Sequence, residues 1–187
     1  KRFLHSSEYL QRHELYYDIE RNPKRLSQRA LFSSNSFEER QVIEHGLTHL
    51  ARRDPNLALK HWSRYQQSHE FSHQSQAKIV SSIVKGLHKK GHTKAADSYF
   101  VDHLSLLNQT LEGELTEWRI RQSLSELDWP DARVWLSRLP DANRQKTVWR
   151  YWTIRSMESD PATTLNPELN QLIQSLARER DFYGFLA

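Results

Sequence analysis

VIEHGLTHLARRDPNLALKHW, residues 42–62, is the stretch whose reading decides the fold. Val42, Ile43, Gly46, Leu47 and Leu50 recur at intervals of three and four, the period of a helix that buries one stripe. Asp54-Pro55 then reads as an N-cap followed by proline at the first helical position, where a missing N–H costs nothing. Ala58 and Trp62 lie one turn apart on the helix that follows, so the segment is a helical hairpin.

The hairpin repeats. Gly46, Ile83 and Ile120 are spaced by 37, as are Leu50, Leu87 and Leu124. The same interval joins Ala58, Ala95 and Ala132, and again Trp62, Tyr99 and Leu136. A small residue four before a large one is similar to the second helix of a tetratricopeptide unit, although that unit is about 34 residues long. Ile83 and Ile120 also stand where the unit prefers a small residue. The expected fold is all-α: a right-handed α-superhelix, a TPR-like α-solenoid of stacked hairpins with a repeat near 37 residues. No single hairpin can bury its own apolar face, and stacking supplies the core. The repeats are clearest over 37–139, within one α-superhelical domain of 1–187.

Working outward, Ser36-Phe37-Glu38-Glu39 reads as a capping box with Glu39 reaching back to the cap. Lys89-Lys90-Gly91 has the order of a helix C-terminus. Asn22-Pro23, Asp160-Pro161 and Asn166-Pro167 read as further helix starts, and a break is expected near Asn108. About four-fifths of the chain is expected to be helical.

Composition agrees. Five Gly and six Pro in 187 residues are too few for the tight turns of a sandwich or barrel, and no Gly-rich phosphate loop is present. Zero cysteines exclude disulfide scaffolds and thiolate chemistry. A net charge of +4 is far from the dense basic stripe that phosphate neutralisation needs, so no nucleic-acid partner is expected. Mean hydropathy is −0.82 and no apolar run approaches 18 residues, so no membrane span is expected. Six Trp, seven Tyr and seven Phe mark a chain with rings to bury.

Several residue patterns carry potential chemistry. His69-Glu70-Phe71-Ser72-His73 matches H-E-x-x-H, in which two histidines one helical turn apart share a zinc ion. Its glutamine- and serine-rich flanks place it between two repeat helices, so a solvated turn is expected. His45 and His49 share the i, i+4 spacing, as do His88 and His92, but neither pair implies a third ligand. No metal and no cofactor is therefore expected. Glu112, Glu114 and Glu117 could supply paired carboxylates, but Glu117 stands four residues before Arg121 and reads as one half of an ion pair. Residues 88–94 form the most basic turn and read as surface.

The C-terminal part carries a resemblance. Trp149-Arg150-Tyr151-Trp152-Thr153-Ile154-Arg155 is followed by a helix through Leu172, Leu176 and Ala177, then by Arg180-Asp181-Phe182-Tyr183-Gly184-Phe185-Leu186-Ala187. These motifs, within 143–187, resemble the W-x-Y-W-x-x-R helix, partner helix and R-x-F-Y-G-x-L-A stretch that end the superhelical domain of the soluble lytic murein transglycosylases. The sequence departs from that pattern between the motifs, at Ser156 to Pro161 and at Ala162 to Asn166. The resemblance implies structural roles for Trp149, Tyr151, Trp152, Phe182, Tyr183 and Gly184. It implies a periplasmic parent enzyme that cleaves the β-1,4 bond between N-acetylmuramic acid and N-acetylglucosamine, forming a 1,6-anhydro product. The catalytic Glu of the family lies in a lysozyme-like domain C-terminal to the solenoid, marked by an E-S pair and a G-L-M-Q motif. Glu158-Ser159 is an E-S dipeptide without lysozyme-like sequence after it, so no catalytic residue is carried over. The implied role is that of a non-catalytic fragment whose partners are peptidoglycan and its own catalytic domain, with Arg119, Arg121, Arg150 and Arg155 as candidate contacts. The alternative is a free-standing TPR-like adaptor that binds a protein in its groove.

Overall fold

The computed structural model describes residues 13–160 and 167–186, and every regular element among them is helical. Two compact units divide the chain, Lys1–Asn108 and Gln109–Ala187.

In the first unit, α1 (residues 13–21) leads into 3-10 turns at Pro23–Ser27 and Arg29–Leu31. Then come α2 (Phe37–Arg53), α3 (Pro55–Ser68), α4 (His73–Lys89) and α5 (Thr93–Asp102), with a 3-10 turn at Leu104–Leu106. Helix α2 packs on α3 and α4, and α4 packs on α5. The stripe read from the sequence is the core: Ile43, Leu47, Leu50, Ile79, Ile83 and Leu87 are all buried. Asp54 caps α3 by accepting from the Leu57 N–H at 3.0 Å, and Ser72 caps α4 through the Ser75 N–H at 3.2 Å. Asn22-Pro23 starts a 3-10 turn rather than an α-helix, and the Asn22 side chain caps nothing there. Pro161 and Asn166 lie outside the described residues, as does the 162–166 loop; Pro167 does begin a helix.

One register shifts. The second copy of the small–large pair is Ala96 and Phe100, both buried, where the 37-residue spacing named Ala95 and Tyr99; Ala95 is exposed. The turn causes it. Helix α2 passes to α3 through Asp54 alone, whereas α4 reaches α5 through Lys90, Gly91 and His92. Gly91 adopts φ +78°, and the His92 N–H closes back on the Leu87 carbonyl at 2.9 Å. This is the left-handed C-terminal cap that glycine makes cheaply, and it adds one residue between Leu87 and the next helix. Counted from the helix start, the pair keeps its place: Ala58 and Trp62 in α3, Ala96 and Phe100 in α5.

The second unit contains α6 (Gln109–Ser125), α7 (Trp129–Ser137), α8 (Asp141–Arg144), α9 (Thr147–Glu158), α10 (Pro167–Leu176) and α11 (Phe182–Leu186). Helix α6 begins one residue after the expected break. Helix α6 packs on α7, and α9 packs on α7, α10 and α11. Ala132 and Leu136 are buried on α7, the third occurrence of the pair. Ile154, Leu169 and Leu176 form a core against which Tyr151, Met157, Leu172 and Ile173 pack.

Candidate functional site

The first unit holds a cleft of about 530 Å³ between the 3-10 turns and α3, walled by Arg29, Phe32, His61, Arg64, Tyr65 and His69. Tyr65 fixes its floor by donating to the Leu26 carbonyl at 2.7 Å, and the Phe32 ring meets it edge-on at 5.7 Å. Burial pushes the Tyr65 phenol up to about 12, helped by the Glu39 charge, so it stays a neutral donor. His61 is buried beside Arg64 with Nε2 unpaired. Burial, then the charges of Arg64 and Lys60, holds it below the ordinary histidine value.

His69 belongs to this cleft, which corrects the expectation of a solvated turn. Residues 69–72 do join α3 to α4, but His69 and Phe71 are buried, and Phe71 packs edge-on against Trp62 at 5.2 Å. The H-E-x-x-H histidines sit on either side of a helix break, so the single-helix zinc geometry does not form. Instead His69 Nε2 stands 2.9 Å from Glu39 Oε1, and Nδ1 lies 2.8 Å from Ser68 Oγ.

Glu39 also departs from the simple capping box. Ser36 Oγ accepts from the Glu39 N–H at 3.2 Å as expected. The Glu39 carboxylate, however, accepts from the N–H groups of Ser34 and Asn35 and from the Ser34 hydroxyl. Burial alone would raise this carboxyl; the bonds from Ser34, His69 and Asn35 outweigh it and hold it below the usual range. With Glu39 ionised, the His69 Nε2–H donates to it and Nδ1 is free to accept from Ser68. The chain of bonds pins the turn before α2 to the end of α3. The sequence hid it because its members are 30 residues apart.

In the second unit the four candidate arginines separate into two kinds. Arg119 is only 3% exposed. It bonds Asp131 at 2.5 Å and Ser123 at 2.7 Å, with its guanidinium 5.4 Å from the Trp135 ring centre. This corrects its reading as a contact residue: the group is already spent inside the fold. Arg150 reaches Glu179 and Ser175, each at 2.8 Å, and so ties α9 to the end of α10. Arg121 and Arg155 are outward, with side chains 58% and 51% exposed. Arg121 lies 5.0 Å above the Trp149 ring and 3.3 Å from Glu117; Arg155 pairs with Glu158 at 2.6 Å.

Glu117 is the hub of this surface rather than an acid–base group. It accepts from Lys146 at 2.6 Å and Asn143 at 2.7 Å. Burial would raise its pKa, but these donors dominate and bring it down to about 2. Among the motif aromatics, Trp149 is buried, while Tyr151 touches both Trp152 and Tyr183, with centroids 5.3 and 5.5 Å away. Gly184 is required by a close approach: a Cβ there would stand 2.1 Å from the Glu179 carbonyl. Its N–H donates to Asp181 Oδ1 at 2.9 Å. Phe182 and Phe185 are exposed, at 69% and 82%.

These features define an all-helical protein of paired helices, with cations and rings on its surface. No protein-family model and no curated protein matches the chain. Among solved structures, the X-ray structure of an inactive mutant of the lytic transglycosylase Slt from Pseudomonas aeruginosa is similar over 94% of this chain, at 33% identity and a TM-score of 0.67. The chain spans 28% of that protein's length. At the level of this segment, the chain belongs to the lytic murein transglycosylase family.

Proposed function

We propose that the chain is the non-catalytic superhelical part of a periplasmic lytic murein transglycosylase. In this reading its helical hairpins form a right-handed TPR-like solenoid, with the repeats over 37–139 and the motif helices over 143–187. The segment holds the glycan strand and supports the C-terminal catalytic domain that cleaves the bonds between N-acetylmuramic acid and N-acetylglucosamine. The observation that carries it is the 33% identity to Slt sustained over 94% of the chain.

Residue chemistry supports the binding half of this role. Peptide stems on the glycan carry carboxylates, and Arg121 and Arg155 are exposed cations that could meet them. Arg29 and Arg64 offer a second cationic wall at the cleft. Arg119 and Arg150 act through the fold that presents the others. Phe182 and Phe185 are the apolar contact for the catalytic domain.

Co-sedimentation with purified sacculi tests the reading. The chain pellets at low salt and is released as salt screens the charges. Reversal of Arg121 and Arg155 to Glu, or of Arg29 and Arg64 to Glu, lowers the bound fraction several-fold. Failure of the unmodified chain to pellet at low salt, or no change on either reversal, overturns glycan binding.

A further inference from the structure

The sequence offers His45 and His49 as a pair without a third ligand; the tertiary structure supplies one. Helix α1 crosses α2 at Gly46, where an added Cβ would stand 2.4 Å from Ile19 Cγ2. That contact brings Glu20, the neighbour of Ile19, to His45, the neighbour of Gly46. One ligand atom each from Glu20, His45 and His49 then lies within 4.8 Å of the other two, and all three residues are partly buried.

The state of His45 is the second observation. Its Nε2 is buried and has no hydrogen-bond partner. Its Nδ1 is 2.9 Å from the Tyr16 hydroxyl, and the Tyr16 ring stacks on the imidazole at 4.2 Å. With the phenol oxygen accepting from Nδ1–H, the Nε2 lone pair is left free. This is the outer partner that fixes tautomer and ring orientation in metal-bound histidines. The His45 and His49 rings are 4.5 Å apart between centroids, one helical turn of α2.

We propose that Glu20, His45 and His49 form a binding site for a divalent transition metal of the zinc class, which clips α1 to α2. Two imidazoles and one carboxylate suit zinc, cobalt or nickel rather than magnesium or calcium. With bonds of about 2.0–2.1 Å, side-chain rotations of about 1 Å close the set and leave a fourth position for water. The site is independent of the peptidoglycan role, so either can fail without the other.

Titration of the metal-free 187-residue chain with Zn²⁺ by calorimetry, in a non-chelating buffer, tests this. One equivalent binds and raises Tm, and Co²⁺ in its place gives visible bands of tetrahedral intensity. His49→Ala and Glu20→Gln each weaken binding at least tenfold while circular dichroism stays helical. Tyr16→Phe weakens it about tenfold, the usual effect of removing an outer partner. His92→Ala, in the other i, i+4 histidine pair, changes nothing. The inference is overturned if Zn²⁺ binds no tighter than millimolar. It is equally overturned if His49→Ala and Glu20→Gln, both folded, retain full affinity.

Discussion

Gly86 is where the packing of α2 on α4 is most exposed to a single methyl. A Cβ built there stands 2.1 Å from the Ala51 carbonyl oxygen and 3.0 Å from its carbon. Both atoms are backbone in the last turn of α2, so no rotamer change relieves the clash. The Cβ falls more than about 1 Å short of a normal contact, and the two helices must part by roughly that distance. The apolar faces of α2 and α4 would then open. A gap of 0.5–1 Å already forfeits about a quarter to a half of each contact's dispersion energy. Overpacking of this kind costs about 1–3 kcal/mol, and a rigid backbone partner puts Gly86→Ala at the upper end. Alanine returns about 1 kcal/mol in helix propensity. The net loss is about 2 kcal/mol, or roughly 4–8 °C in Tm for a chain of this size. Urea unfolding followed by circular dichroism at 222 nm measures it. If Gly86→Ala is as stable as the parent, propensity has won and the close approach of α2 to α4 is wrong.

Arg119→Ala should cost about 2–3 kcal/mol, somewhat below the usual cost of breaking a buried pair because Asp131 retains 28% side-chain exposure. Arg121→Ala should stay within about 1 kcal/mol, as exposed pairs do; comparable urea midpoints for the two would refute the division of the arginines. Stability should also fall in acid. Glu117 titrates near 2 in the folded chain against a reference of 4.5, so its contribution is complete above about 4.5 and fades as pH drops toward 2. Glu39, also depressed, acts with the same sign. Glu117→Gln should flatten the pH dependence of the urea midpoint over that window, and an unchanged slope would remove Glu117 from the hub.

What could be read from the sequence was whatever the chain settles locally. The apolar period of residues 42–50, the Asp54-Pro55 start and the Ser36 cap depend on neighbours three or four residues away, and each stands where it was expected. The small–large pair was also legible, but its second copy moved by one residue. A left-handed Gly91 lengthens that turn, and a fixed interval cannot anticipate an inserted residue. The family likeness rested on Trp149–Arg155 and Arg180–Ala187, where packing accounts for the buried Trp149 and the close approach at Gly184.

The remainder depended on contacts between distant residues. Arg119 and Arg121 are two residues apart and equally basic in sequence, yet one is buried against Asp131 and the other is 58% exposed. Which of them faces inward follows from the direction in which α6 meets α7. His69 looked like a polar turn residue until Glu39, 30 residues earlier, came within 2.9 Å. Glu20 joined His45 and His49 only because Gly46 lets α1 lie against α2. By itself the sequence determined the helices, their caps and their apolar faces, because those follow from short-range periodicity. Which charged and ligating side chains share a site was decided by the tertiary structure, because burial and pairing are properties of helices brought together.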